Sequence, residues 1–418
     1  MEKYVLRDLI NVKRGMSLSG EYYATEGDLI RLTLGNFQEE GGFKINTSKD
    51  DLYFTGPVRK EFILEEGDII TPLTEQVVGL LGATARIPES GKYIQSGDVA
   101  LIKCISDKID DGYCYYLISS DVVRRQLSAA AQQTKIRHTS PEKIMDCEVF
   151  LPEVKEQRKI AHLLDSINKK IELNNKINDN LQQQLRLLYD QWFIQCNIQH
   201  DSAKSEVTDH WDNYLMRRIP NDWNIKQLSD IGSIVCGGTP STAHPEYYAE
   251  NGIAWITPND LSANTRNIYI NHGARDISQE GLDNSSSTLM PAGAVLLSTR
   301  APIGYIAISE TEVCTNQGFK SVVPDKGYDS AYIYFTLLDM IPRILHLGAG
   351  TTFMEVSKDS ISSLKVLCPP LAVVEAFCNI AKPLMKQCSD CQNENKHLQG
   401  LRDYLLPLLM SGQATIAD

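Results

Sequence analysis

Amide, hydroxyl and guanidinium side chains gather in polar loops that occur as matched pairs along this sequence. RLTLGNFQEEGG from Arg31 carries Asn36 and Gln38, and it stands opposite WITPNDLSANT from Trp255, with Asn259 and Arg266. TPLTEQVVG from Thr71, with Thr74 and Gln76, stands opposite LLSTRAPIG from Leu296, with Thr299 and Arg300. A third pair, AQQTKIRH from Ala131 and GAGTTFME from Gly348, sets Gln133, Lys135 and Arg137 against Thr351 and Thr352. These groups exchange hydrogen bonds and carry positive charge, but no nucleophile stands beside a base. Their chemistry is recognition rather than bond-making. Taken singly, each reads equally well as a solvated turn side chain; as a set they mark candidate contacts.

Signatures of bond-making are missing. The sequence has no GxxxxGK[ST] phosphate loop, no HExxH, no GxSxG elbow and no Asp/Asn-Pro-Pro-aromatic run of the kind that holds a target amine for methylation. The GAG at 348–350 follows a predicted helix rather than a strand, the wrong setting for a cofactor loop. Cys388 and Cys391 form a lone CxxC inside a helix with no second pair at zinc spacing, so they read as small buried residues. No metal and no directly bound cofactor is expected. The ten cysteines are scattered and read as reduced thiols. A formal charge of -12 argues against a nucleic-acid partner only on average, because a few Arg and Lys in a groove can be outvoted by an acidic exterior. No apolar run approaches the ~18 residues of a membrane helix, and MEKYVLRDLI has charges where a signal peptide places its apolar core. A cytoplasmic protein without a membrane partner is expected.

The elements that must position these loops come twice. TSPEKIMDCEVFLPEVKEQRKI from Thr139 aligns without a gap to VSKDSISSLKVLCPPLAVVEAF from Val356: Ser140 meets Ser357, Ile144 meets Ile361, Val149 meets Val366 and Pro152 meets Pro369. A chain of 418 residues accommodates such a tandem duplication of roughly 200-residue units. Each copy opens with Gly-punctuated strands, GDIITP from Gly67 and GDVALIKC from Gly97, then GAVLLSTR from Gly293 and GFKSVVP from Gly318. A helix follows each pair, from Gly112 and from Asp329, which predicts α+β domains with helices on a mainly antiparallel sheet.

Each copy closes with a long Gly-poor helix. Ile160, Leu164, Ile167, Ile171, Asn174, Asn178, Leu181, Leu185, Leu188 and Trp192 alternate steps of four and three, the seam of a coiled coil. The second copy gives a weaker seam: Phe377, Ala381, Leu384, Cys388, Cys391, Asn395, Leu398, Arg402, Leu405 and Leu409. Helices of this length need a partner, and the obvious partner for each is the other. Pairing antiparallel about a pseudo-two-fold axis, ~40 residues at ~1.5 Å each make a rod of about 60 Å, a caliper with a domain at each end. The boundaries that result are a first domain at 1–152, a helix at 153–199, a polar linker at 200–218, a second domain at 219–369, a helix at 370–412 and a tail at 413–418.

These features together resemble the specificity subunit of a type I restriction-modification system. The resemblance rests on the strand and proline that precede Glu156, Gln157, Arg158 and Ile160 at a long-helix start, on IPNDW from Ile219 opening the second copy, and on the YVLRDL and LLPLLMSGQ ends. It implies two target-recognition domains that each read half of a split, asymmetric DNA word, with two conserved helices as spacer and docking site. The loop candidates above would then be base or phosphate contacts, Arg and Lys suiting guanine and Asn and Gln suiting adenine. The implied partners are double-stranded DNA, two methyltransferase subunits that supply S-adenosylmethionine for adenine-N6 methylation, and nuclease/translocase subunits through the complex. The chain itself would be non-catalytic. Val374, Glu375 and Ala376 depart from the Glu-Gln-Arg run at the second helix start, so the two docking contacts need not be equal. The alternative is a coiled-coil adaptor with two protein-binding domains, distinguished by failure to bind DNA with the methyltransferase present.

Overall fold

The computed structural model describes residues 1–417 apart from 39–40, 76–78, 131–136, 198–208, 265–266 and 349–354. Two compact units result: Met1–Ile171 with His397–Asp418, and Glu172–Lys396. In the first, the opening strand Glu2–Val5 pairs antiparallel with Glu148–Leu151, so the domain closes on itself just before its long helix begins. Its main sheet runs in the order Ile10–Arg14, Val99–Cys104, Ile69–Pro72, Ala85–Arg86, all antiparallel. A smaller sheet orders Tyr23–Ala24, Tyr53–Phe54, Ile30–Arg31 and Tyr93–Ile94, its last pair parallel.

The second unit repeats this plan. Asn224–Gln227 pairs with Lys365–Cys368 as the closing ribbon. The main sheet runs Ser233–Cys236, Lys320–Val323, Val295–Leu297, Ile306–Ser309, with Tyr269–Ile270 added at the edge. The smaller sheet orders Tyr248–Ala249, Arg275–Ile277, Ile253–Ile256 and Val313–Thr315. Strand for strand the order matches the first unit, so the duplication is one of topology as well as sequence. The repeated short helix is built alike too: the Ser140 hydroxyl accepts from the Lys143 N–H, and that of Ser357 from the Ser360 N–H, each satisfying a first-turn donor.

The helix from Asp329 spans Ser330–Leu347, but its counterpart is two helices, Asp111–Ser119 and Asp121–Ala130, where one continuous helix is predicted. Ser120 turns extended, its hydroxyl donates back to Leu117, and its carbonyl accepts from Val123 and Arg124, so one residue ends one helix and starts the next.

The long helices are Val154–Tyr189 and Leu371–Met410. In the first unit Ile160, Ala161 and Leu164 pack in a core with Tyr113, Leu117, Leu409 and Met410, and the Glu156 carboxylate accepts from the Ile416 N–H at 2.8 Å. In the second unit Leu181 and Leu185 share a core with Phe377, Ala381, Met385 and Cys388. The start of one helix therefore meets the end of the other within each unit, an antiparallel pairing. Ile160 through Leu185 of the first seam are buried, Ile167 and Ile171 included. Beyond Leu185 the seam rotates: Leu188 and Trp192 are half-buried, while Tyr189 and Phe193 are closed off. A 3.6-residue helix drifts against a seven-residue repeat, and a π turn at Asp190–Ile194 adds a residue where the drift has accumulated. The second helix shows the same slip. Met385 and Gln392 take the buried places of Leu384 and Cys391, and Leu398, Arg402 and Leu405 are half-buried.

Asparagines meet in the seam. Asn174 Nδ2 donates to Asn395 Oδ1 at 3.0 Å and to Glu394 Oε2 at 2.8 Å, and Asn395 Nδ2 donates to Asn175 Oδ1 at 2.9 Å. Asn178 is buried with no hydrogen-bond partner for its Oδ1. Asn178→Leu should therefore raise stability by about 1 kcal/mol, whereas Asn174→Leu, which strands Asn395, should lower it by about 1–2 kcal/mol. Thermal unfolding of the two variants checks the pair; a loss for Asn178→Leu would contradict the placement.

The polar linker at 200–218 is shorter than its composition suggests. Its described part enters a hairpin of Asp209–Asp212 and Arg217–Pro220, turned by Asp212 Oδ1 accepting from the Tyr214 and Leu215 N–H groups at 2.9 and 2.6 Å. All ten cysteines are free. Among the described residues no helix is long and apolar enough to cross a membrane, and no group of three or more His, Cys, Asp or Glu side chains could hold a metal ion.

Candidate nucleic-acid interface

Three chain segments meet at one edge of the second domain. Thr257, at the end of strand Ile253–Ile256, closes a capping box with Asp260, whose Oδ2 accepts from the Thr257 N–H at 2.7 Å and hydroxyl at 2.6 Å. The Asn316 N–H donates to the Ile256 carbonyl, and the Thr299 N–H to that of Gly318 at 2.8 Å, drawing in the turns at 315–318 and 299–302. A Cβ at Gly237 would overlap the carbonyl oxygens of Thr315 and Asn316, so only glycine lets this strand end pass so close. The cleft so formed is lined by Asn259, Arg300, Asn316 and Gln317 among others.

Two of the sequence candidates, Asn259 and Arg300, are thus brought together and exposed. Arg300 Nε is ion-paired with Glu355 at 3.6 Å, and Lys320, itself buried, donates to Glu355 Oε1 at 3.3 Å. Thr299 is fully buried and its hydroxyl donates to the Gly318 carbonyl, so it supports the cleft without facing it. Arg266, Thr351 and Thr352 lie outside the described residues.

The first domain carries the same three segments with different side chains. Thr33 and Asn36 form the equivalent capping box, Leu73 N–H donates to Asp98, and Thr139 N–H to Leu73, as Val356 N–H does to Thr299. Asn36 is therefore the counterpart of Asp260, as the alignment of the loops from Arg31 and Trp255 places it, and Gly35 is that of Asn259. Asn36 is buried, with Oδ1 accepting from Thr33 and Nδ2 donating to Lys44, and a base edge would have to break those bonds. The β-bridges pair Thr74 with His138 and Arg300 with Glu355, which makes Thr74 the counterpart of Arg300 and Leu73 that of Thr299. The gapless alignment holds for the loops from Arg31 and Trp255, whereas that of Thr71 with Leu296 is one residue out of register, because equal length in sequence does not force equal position after a strand.

Thr74 is buried in its two-residue strand. Beside it Glu75 Oε2 accepts from the N–H groups of Gly79, Leu80 and Leu81 at 3.0, 2.8 and 3.0 Å, while Oε1 pairs with Arg137 at 3.1 Å. Arg137 also donates to the Ser128 carbonyl, so its guanidinium is engaged within the domain. The same two segments are thus joined by a charge pair, one residue along from the place of Arg300–Glu355 and with its charges exchanged. Gln38 is exposed. The positions equivalent to Asn259, Asn316 and Gln317 are Gly35, Ser96 and Gly97, which leave that part of the first domain almost bare. Gln76, Gln133 and Lys135 lie outside the described residues.

Sequence reasoning missed Asn316, Gln317, Thr239, Lys320 and Glu355. The signal was present as TNQG, a polar run at the lip of the strand read from Gly318. Thr239 donates to Gln317 Oε1 from a segment far away in sequence, a contact only the sheet order creates.

The helix-start run that carries the docking expectation has internal work. Gln157 is fully buried; its Oε1 accepts from the Asp110 N–H at 2.9 Å, and Nε2 donates to the Lys108 and Pro152 carbonyls at 2.8 and 2.9 Å. At the equivalent place Val374 is buried among apolar side chains. The departure at the second helix start thus replaces a hydrogen-bonded plug by an apolar one. Arg158 is largely exposed beside Asp110. Gln157→Ala should cost about 1–3 kcal/mol, because it empties a fully buried place and leaves three part-buried backbone groups without the amide; urea unfolding measures it, and a loss under about 0.5 kcal/mol would show that water replaces the amide.

A family model described as the type I restriction modification DNA specificity domain matches residues 1–183 and 220–396. The type I restriction enzyme MjaIX specificity subunit of Methanocaldococcus jannaschii is 39% identical over 154 residues, 36% of this chain and 35% of that subunit, so the chain covers about a third of it. The type I restriction enzyme HindI specificity subunit of Haemophilus influenzae is 24% identical over 316 residues, 63% of this chain and 68% of that one. Among solved structures, the type I restriction-modification system S subunit from M. genitalium superposes with a TM-score of 0.62 at 15% identity, covering 98% of this chain and 96% of that one, and it shares the fold.

Proposed function

The chain belongs to the type I restriction-modification DNA specificity family, and from that premise we propose that it reads a bipartite, asymmetric DNA word, one half through each domain. The observation that carries this reading is that the family match falls on both copies while equivalent turns present different side chains: Asn259, Arg300, Asn316 and Gln317 in one domain, Gly35, Thr74, Ser96 and Gly97 in the other. Equal scaffolds with unequal contact groups suit two different half-words. The paired helices would hold the two readings at a set separation and dock two methyltransferase subunits. Nuclease/translocase subunits would join through that complex in the cytoplasm. S-adenosylmethionine would be bound by the methyltransferase, which would transfer the methyl group to adenine N6, and this chain would contribute no reacting group.

The test is to express the chain with its genomically adjacent methyltransferase and map methylated adenines genome-wide. A split word with unlike halves is expected, together with no methyl incorporation by the isolated, homogeneous chain. Methylation by the chain alone, or a continuous word, would refute the proposal.

A further inference from the structure

Around Arg300 the cleft of the second domain offers hydrogen-bond donors, because the neighbouring acceptors are engaged; Asn259, which lines the same cleft, adds an amide with both a donor and an acceptor. Asn316 Oδ1 accepts from the Gly318 N–H at 2.9 Å, which leaves its Nδ2 as the free end of the amide. Gln317 Oε1 accepts from the Thr239 hydroxyl, which leaves Nε2 outward. Arg300 has donors only, and its Nε is the atom nearest Glu355, so the terminal amino groups remain for the cleft. Glu355 is in turn held by the buried Lys320 and by the backbone bridge to Arg300. A planar guanidinium is thereby anchored at one edge and presented at the other.

Among base pairs in the major groove, guanine is the base that shows two adjacent acceptors, O6 and N7; adenine shows an acceptor beside a donor. The donors of Arg300, Asn316 and Gln317 therefore match guanine and would leave the adenine amino group facing other donors. A phosphate is also an acceptor, but Glu355 offsets the charge of Arg300 while leaving its fork intact, which favours a geometric reader over a charge contact. We propose that Arg300, positioned by Glu355 and Lys320 and flanked by Asn316 and Gln317, reads a guanine in the half-word recognised by the second domain. The first domain has Thr74 at the equivalent position and reads no guanine there. This inference rests on the proposed split-word recognition.

The experiment maps methylated words for the complex with its methyltransferase, carrying the wild-type chain, Arg300→Ala, Arg300→Lys or Glu355→Gln, with the melting temperature of each. The wild-type word should contain a G·C pair in the half assigned to residues 219–369. Arg300→Ala and Arg300→Lys should both relax that one pair by roughly 10- to 100-fold with every other position kept, since lysine retains the charge but not the fork. Glu355→Gln, which also takes the counter-charge from the buried Lys320, should lower the melting temperature and relax the same pair to a smaller extent with every other position kept, a position-specific effect that a merely structural residue would not give. Uniform loss of methylation at all words in Arg300→Ala, wild-type behaviour of Arg300→Lys, or a second half-word without guanine would overturn the inference alone. A wild-type complex that methylates no split word would overturn the underlying reading, and this inference with it.

Discussion

Exchanging residues 1–152 for the corresponding domain of a relative is expected to rewrite one half of the methylated word and leave the other half unchanged. The closing ribbon of Glu2–Val5 with Glu148–Leu151 completes the first domain before the helix starts at Val154, so the exchanged piece carries all its own strands. Two features of the junction decide whether the hybrid folds. Gln157 bonds to the backbone at Lys108, Asp110 and Pro152, contacts that a donor domain preserves if its loop has the same course. Ile160, Ala161 and Leu164 pack on Tyr113 and Leu117, so the donor needs apolar residues of similar volume there. Each mismatched base pair costs about 1–3 kcal/mol, so a half-word of even three pairs should shift preference by a hundredfold or more. Methylation mapping of the hybrid reads the result. If both halves changed, or neither, the assignment of one half-word per domain would be wrong.

The features legible in the sequence are those that depend on local repetition. The duplication, the four glycine-entered strands and the buried seam from Ile160 to Leu185 all follow from spacing, because strand and helix periods act over a few residues. Errors begin where a period must be extrapolated or a loop aligned without a gap. Leu188 and Trp192 continue a seven-residue repeat that the real helix has already left, and Tyr189 and Phe193 close the core instead. Aligning TPLTEQVVG with LLSTRAPIG sets Thr74 opposite Thr299, whereas the bridge to His138 equates it with Arg300. Asn36 and Asn259 look alike as polar loop residues, yet one completes a capping box and the other stands outside it. The cleft itself needs three segments from distant parts of the chain. Only the strand order brings Gln317 to Thr239 and Glu355 to Arg300.

Phe377→Ala is expected to be among the most destabilising single substitutions in the second unit. The phenyl ring is fully buried near the start of helix Leu371–Met410. Its centroid lies 5.0 Å from Phe193, 6.0 Å from Phe335 and 6.1 Å from both Tyr189 and Trp192, edge-on to the first three. Truncation would open a cavity bounded by rigid rings that cannot collapse into it, which places the loss at about 3–5 kcal/mol, with the lost ring contacts pushing toward the upper end. The equivalent position in the first unit is Ile160, buried among aliphatic and tyrosine side chains without such a cage, so Ile160→Ala should cost less, about 2–4 kcal/mol. Calorimetry should show the transition of the second unit falling by roughly 10 °C or more in Phe377→Ala, since about 1 kcal/mol moves a domain of this size by 2–4 °C. Phe377→Leu should recover most of the loss by refilling the cavity. A shift of under 3 °C for the alanine variant would mean that the start of this helix is not anchored by the aromatic cluster, and that the second domain holds its cleft without help from the helix.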